Sequence, residues 1–170
     1  HLDVGSRFDG FIAHVASFRE IEVLDIRPIK NSPIKNIKFI QADLMNPEPI
    51  LKTDSLSCLH AIEHFGLGRY TDPIDIYGHI KGINNLISLL ESNGTLYISF
   101  PIGRCDEVHF NAHRVFHPKS ILKIDSIEKQ MELVRFDYID DGGNLNLNVT
   151  FESVKKDLIY GCGIYTFRKL

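Results

Sequence analysis

Apolar positions along this chain fall into short runs of period two and longer runs of period near 3.6, and the two kinds alternate from the first residues to the last. Leu2 and Val4 form a short apolar run that breaks into Gly5-Ser6-Arg7. Phe11, Ile12, Val15 and Phe18 then share one helical face, which predicts a helix over 9–18. Residues 20–26 predict a second strand with Asp25 near its end, and 37–41 a third strand that runs into Ala42-Asp43-Leu44. Pro47 and Pro49 mark a loop, and 55–60 predicts a buried fourth strand. Ile80, Ile83, Leu86, Ile87 and Leu90 recur at helical spacing within 76–90. Asn93-Gly94 predicts a turn before a strongly apolar strand over 95–100. His117-Pro118 predicts the start of another helix, with His117 as cap and Pro118 at the first position. Residues 132–139 and 164–168 predict the last strands, with Asp141-Gly142-Gly143 as a turn between elements; the alternation of Leu145, Leu147, Val149 and Phe151 allows an edge strand as well.

Strands that alternate with helices, without repeats or low-complexity linkers, give the α/β class, with a mostly parallel sheet and helices on both faces. The chain has 170 residues, 44% of them hydrophobic, which suits one domain over 1–170. His1 stands almost on the first strand, so further residues are expected upstream of it. A formal net charge of -3, with Lys and Arg scattered, gives no footprint for nucleic acid. There is no apolar run of membrane-spanning length and no secretory signal pattern, so the expectation is a cytoplasmic protein without a membrane partner. Cys58, Cys105 and Cys162 are odd in number and never in a C-x-x-C pair, which argues against a disulfide framework or a thiolate zinc site.

The chemistry begins at the first turn. A strand running into a glycine turn, with a carboxylate roughly 20 residues on, is the pattern by which a βαβ unit holds the ribose of a nucleoside cofactor. Gly5 and Asp25 fit it. A dinucleotide fingerprint places a second glycine where this chain has Arg7, because the backbone there closes on a pyrophosphate. Arg7 therefore favours a cofactor that joins adenosine to an amino acid, and Asp3 agrees, since a carboxylate there repels phosphate but holds an ammonium directly or through water. An ordinary turn, with Gly5 at positive φ and Asp3 capping the next helix, explains the same residues.

Four ordered segments, Leu2-Asp3-Val4-Gly5-Ser6, Leu24-Asp25-Ile26, Ala42-Asp43-Leu44 and Leu59-His60-Ala61-Ile62-Glu63-His64, followed by Gly94-Thr95-Leu96-Tyr97-Ile98-Ser99-Phe100-Pro101, resemble a class I S-adenosylmethionine-dependent methyltransferase. Residues 63–70 and 110–116 are similar to a narrower, methyltransferase-like family first catalogued from nematodes as a domain of unknown function, with bacterial members. The resemblance implies a Rossmann-like sheet of seven strands in the order 3-2-1-4-5-7-6, the last antiparallel. It also implies a cofactor site made of Asp3, Gly5, Ser6, Arg7, Asp25, Ile26, Asp43, Leu44, His60 and Ala61. Gly5 and its neighbours would pass under the methionine part, and Asp25 would take the ribose hydroxyls. Asp43 and the Leu44 amide would read adenine, while His60 and Ala61 would border the sulfonium. Arg7 departs from the family's usual glycine and either pairs with the methionine carboxylate or blocks it. The product would be S-adenosylhomocysteine.

Methyl transfer needs alignment of donor and acceptor and removal of a proton from the acceptor, and a histidine near neutrality suits the second task. His60, His64, His109 and His113 fall on segments expected to open onto the crevice at the strand ends. His113, with Asn111 and Arg114 beside it, is the first choice of base, with His60 and His64 behind it. His109, His113 and His117, each four residues apart, would align as metal ligands on one helix, but Pro118 and the aromatic interruptions argue for loop instead; Glu63 or Asp106 offers an oxygen-rich alternative. The preferred reading has no metal. Gly66 to Pro73 reads either as a mobile acceptor lid carrying Arg69, Tyr70 and Asp72 or as a tight loop held by its own turn residues. The expected reaction is O-methylation of a small or glycan-related hydroxylated acceptor. The rivals are a non-catalytic binding or scaffold protein on the same fold and, third, a nicotinamide-dependent oxidoreductase.

Overall fold

Alternation along the second strand decides how the layers stack. In a computed structural model that describes residues 1–7, 9–28, 34–46, 52–70, 72–109 and 112–170, Ile21 and Val23 of β2 (Ile21–Asp25) join an apolar cluster with Ile12, Ala16 and Ile37. Leu24 of the same strand joins the main core with Leu2, Val4 and Leu56. Neighbouring strand residues point to opposite faces, so α1 (Gly10–Ala16) covers one face of the sheet. The other face is covered by α2 (Gly78–Leu89), whose Ile83, Leu86 and Ile87 lie in the main core. Helix α1 begins at Asp9, whose carboxylate accepts from the Ile12 amide at 3.0 Å; that bond satisfies an otherwise orphan helix donor. Asp9, not Asp3, is the cap.

The other strands are β1 (Leu2–Val4), β3 (Ile37–Gln41), β4 (Thr53–Leu59), β5 (Leu90–Ile102), β6 (Glu107–His109), β7 (His113–Val115), β8 (Met131–Ile139), β9 (Leu145–Asn146) and β10 (Gly161–Lys169). The large sheet has the order β3-β2-β1-β4-β5-β10-β8-β9. Its first seven strands are in the expected 3-2-1-4-5-7-6 order, with β10 antiparallel to both neighbours. The eighth is an addition: β9, two residues long, pairs with β8 where the sequence allowed a longer edge strand. Strands β1 to β5 pair in parallel, so all their C-terminal ends reach one edge. Parallel strands covered on both faces are built from nearly continuous apolar runs, and Leu56, Cys58, Leu96, Ile98 and Phe100 are accordingly buried.

Three local expectations are corrected. Asn93-Gly94 does not end a segment: Asn93 takes φ +64, and the pair lies inside β5 as an irregularity of its register against Thr53 and Ser55. The helix expected at Pro118 starts later, as α3 (Asp125–Gln130), after a 3-10 turn at Ile121–Lys123; the His117 ring does accept from the Lys119 amide, at 3.1 Å. The segment taken for a loop running into that helix is instead a hairpin of β6 and β7, with His109 opposite His113. Strands of three residues are too short for periodicity to reveal. The loop around Pro47 and Pro49 lies outside the described residues.

Gly5 is the tightest point of the strand edge. It has φ +84, and a Cβ there would stand 2.5 Å from the Cβ of Ala61. Left-handed backbone costs a non-glycine residue about 1–2 kcal/mol and core overlap a further ~1–3 kcal/mol. Gly5→Ala is therefore expected to lower stability by about 2–5 kcal/mol in urea unfolding; a loss under ~0.5 kcal/mol would mean that the turn relaxes freely.

Candidate active site

The strand ends converge on a cavity of about 470 Å³. Gly5, Ser6 and Arg7 enter from the end of β1, Asp25, Ile26 and Arg27 from β2, Asp43, Leu44 and Met45 from β3, and His60 and Ala61 from β4. The ends of adjacent parallel strands are where ligands bind in such sheets. His64, Phe65, Tyr70 and Asp72 complete the wall.

Of the ten residues expected at the cofactor, nine line this cavity. Asp3 does not. It is fully buried and accepts from the Ser57 hydroxyl and, at 3.3 Å, from the Ser6 amide. Burial raises its pKa, partly countered by those hydrogen bonds. Asp3 thus anchors the glycine turn from behind the wall, which corrects the expectation that it meets a ligand. Arg7 is exposed, and its guanidinium has no hydrogen bond or ion pair among the described residues.

Asp25 is buried at the end of β2 and is held by a residue the sequence reading missed. Its Oδ1 accepts from the backbone amide and from Nε of Arg27, each at 2.8 Å, while Arg27 Nη2 pairs with Oδ2. The same guanidinium donates to the Gly5 carbonyl at 3.2 Å and lies 4.9 Å from the ring centre of Tyr70. Arg27 therefore spans the cavity mouth. The signal was the spacing Asp25-Ile26-Arg27, which lets one side chain fold back onto the carboxylate two residues before it. Asp43 is set by its own turn, accepting from the Met45 amide at 2.9 Å and the Asn46 side chain at 3.2 Å.

The loop from Gly66 to Asp72 is tied to itself. Asp72 accepts from the amides of Gly66, Gly68 and Tyr70 at 2.8, 3.3 and 3.0 Å. This is the tight-loop alternative, although Tyr70 and Asp72 still face the cavity. Arg69 reaches the Ala112 carbonyl at 2.9 Å and so joins the loop to the hairpin.

Beside the cavity the histidines gather. His64 donates Nδ1 to the Ala112 carbonyl at 2.9 Å, and its ring centre lies 6.0 Å from that of His113. His113 stands 5.3 Å from His109, ring to ring, and its Nε2 is 3.1 Å from the hydroxyl of Tyr160, a residue no sequence signal marked. Desolvation, then the positive charges of His109 and His64, lower the pKa of His113. His117 is not aligned with this group, because the segment is not helical. Asp106 is also elsewhere, accepting from the His117 amide at 2.7 Å and the Ser120 hydroxyl at 2.8 Å. Among the described residues no cluster of three or more His, Cys, Asp or Glu side chains has a metal-holding arrangement.

Two expected acceptor residues fare differently. Arg114 turns inward, is buried, and donates to the carbonyls of Phe65 at 2.6 Å and Glu63 at 3.4 Å. It clamps the backbone after β4 and does not line the cavity at the strand ends, its buried guanidinium being met by carbonyl oxygens. Asn111 lies outside the described residues.

Residues 13–154 match the model of a family described as Caenorhabditis protein of unknown function, DUF268. No curated protein matches the chain. Solved structures share its fold. One is the N-methyltransferase NodS from Bradyrhizobium japonicum WM9 in complex with S-adenosylhomocysteine, 13% identical, with a TM-score of 0.65 over 99% of this chain and 76% of that one. Another is the 1,6-didemethyltoxoflavin-N1-methyltransferase of Burkholderia thailandensis, holding its namesake and S-adenosylhomocysteine, 12% identical with a TM-score of 0.69 over 99% and 69%. The cyclase SpnF is 11% identical, with a TM-score of 0.70 over 99% and 74%. These likenesses show the fold: it is the Rossmann-like fold of these methyltransferases, which the sequence resembled, and two of the neighbours hold S-adenosylhomocysteine.

Proposed function

The chain belongs to the DUF268 family, and we propose that it is an S-adenosylmethionine-dependent methyltransferase acting on a hydroxyl of a small or glycan-related acceptor. One observation carries this reading: a single cavity has Asp25 and Asp43 at the ends of adjacent strands β2 and β3, beside the glycine turn after β1. Its volume of about 470 Å³ falls within the usual small-molecule range of roughly 300–1,000 Å³. The residues fit an adenosyl group joined to an amino acid. Gly5 lets the turn close against Ala61, which a Cβ would strike, and Arg7 replaces the glycine that a pyrophosphate would need.

In this reading Asp25 accepts the ribose hydroxyls, with Ile26 beside the ring, and Asp43 with the Leu44 amide meets the adenine edge. Gly5, Ser6 and Arg7 hold the methionine end. His60 and Ala61 border the reacting centre. The bound cofactor supplies an electrophilic methyl group. His113 then takes the acceptor's proton: its lowered pKa keeps it neutral near pH 7, and the Tyr160 hydroxyl marks the ring nitrogen where an acceptor O–H would stand. His64, between His113 and the cavity, orients the acceptor.

Arg27 competes with ribose for Asp25, so Arg27→Ala is expected to tighten S-adenosylhomocysteine binding. The pair is partly exposed, with 25% of the Arg27 side chain accessible, which limits its worth to about 1 kcal/mol and the gain to roughly fivefold. Weaker binding in calorimetry would instead make Arg27 a cofactor clamp. A second reading is a binding protein that keeps the fold without methyl transfer; that the fold does not entail methyl transfer is suggested by the neighbour SpnF, which is named a cyclase. Calorimetric titration with S-adenosylhomocysteine and with NAD tests the first premise. Binding of the former alone supports the cavity assignment, and binding of NAD alone removes it. A methyl-donor turnover screen over sugars and small hydroxylated acceptors then separates enzyme from binding protein.

A further inference from the structure

Cys162, the second residue of β10, stands where the last strand crosses the open edge of the sheet. Its sulfur is 3.1 Å from Nε2 of His60, and Nδ1 of the same ring is 3.2 Å from Oε1 of Glu63. Glu63 is only 2% exposed, and its other oxygen has no hydrogen-bond partner among the described residues. A buried carboxylate in that position needs a proton donor or a cation beside it; its Oε1 faces the His60 ring, with Nε2 of His64 farther off at 3.8 Å. The ring is held in place at some cost, because His60 takes φ +53. The sulfur itself is part-buried and open to solvent. A nucleophile, a base and a carboxylate that orients the base, each within hydrogen-bond reach of the next, is the arrangement that activates a thiol.

We propose that Cys162, His60 and Glu63 make Cys162 a site of thiol–disulfide exchange with small-molecule disulfides. The Cys162–His60 pair shares one proton, which the ring holds while the sulfur attacks one atom of the disulfide. The S–S bond of the reagent breaks as the new Cys162 disulfide forms, and the departing thiolate leaves with the proton from His60. No other oxidant is consumed. The groups facing the sulfur and its base are Glu63 from the turn after β4, Tyr160 before β10, and Tyr165 within β10, the two tyrosines having pKa values raised first by burial. His60 is raised to about 10, chiefly by its hydrogen bond to Cys162 and next by that to Glu63. The site does not depend on the cofactor's identity, but an adduct there stands beside the cavity wall that His60 also lines.

The other two cysteines are internal controls. Cys58 is buried, and Cys105 is exposed beside Glu107, whose carboxylate pushes its thiol pKa up. The purified chain is treated at pH 6 with dithiodipyridine, and modification of each cysteine is timed by peptide mass spectrometry. A ring nitrogen 3.1 Å from the sulfur is placed to assist its attack, so Cys162 is expected to react about five- to tenfold faster than Cys105. His60→Asn, which keeps a residue tolerant of positive φ, is expected to erase that advantage, and Glu63→Gln to reduce it at least threefold. Equal rates for Cys162 and Cys105 in the unaltered protein would overturn the proposal, as would an advantage that survives in both variants.

Discussion

His113→Ala is expected to lower kcat on the correct acceptor by about 10² to 10⁴ while leaving S-adenosylhomocysteine affinity within a factor of about three. The separation follows from position. His113 is on β7, outside the cavity that holds Asp25 and Asp43, and in the proposed function it touches the acceptor and not the cofactor. The pH dependence carries the sign of the shift. A base must be neutral, and desolvation with the neighbouring charges of His109 and His64 lowers the pKa of His113 below the usual 6.5. The rate is therefore expected to rise with pH through one ionisation below 6.5 and to be flat above it. Removing the charge at a neighbour, as in His109→Gln, should move that ionisation upward. Near-normal turnover in His113→Ala, with loss in His60→Ala or His64→Ala, would transfer the base to the end of β4. Loss of turnover on chelation would require a metal-bound acceptor oxygen instead.

What the sequence disclosed and what it hid divide by range. Asp25 and Asp43 were legible because each ends a strand whose own apolar pattern locates it, and Gly5 because a turn between strand and helix lies within a few residues. The order of the seven main strands followed from the resemblance, not from periodicity, since nothing local records which strand lies beside which. Contacts between distant residues were invisible for the same reason: Tyr160 meets His113 across 47 positions, and Cys162 meets His60 across 102. The β6–β7 hairpin was hidden differently. Pro118 is a strong helix-start signal, and the three-residue strands before it offer no competing pattern. Arg114 shows the limit of reading chemistry from type alone. A cation beside a candidate base suggests an acceptor contact, yet the carbonyls of Glu63 and Phe65 satisfy it inside the fold.

Asp25→Ala is expected to weaken S-adenosylhomocysteine binding roughly 100-fold while sparing the fold. A buried carboxylate that accepts two hydroxyl hydrogen bonds contributes about 3 kcal/mol, and each 1.4 kcal/mol is tenfold in affinity. Arg27 sharpens the expectation. Without Asp25 its guanidinium loses the partner that holds it across the mouth, so part of any lost affinity is an altered Arg27 and not a missing ribose contact. The double variant Asp25→Ala with Arg27→Ala separates the two. If ribose recognition dominates, the double variant binds as weakly as Asp25→Ala alone, within about threefold. If displacement of Arg27 dominates, the double variant recovers most of the affinity. Unfolding curves should place Asp25→Ala within about 1–2 kcal/mol of the parent, because the partly exposed Arg27 can return to water. Less than a fivefold change in calorimetry would remove Asp25 from the cofactor site, leaving its carboxylate as a partner for Arg27 alone.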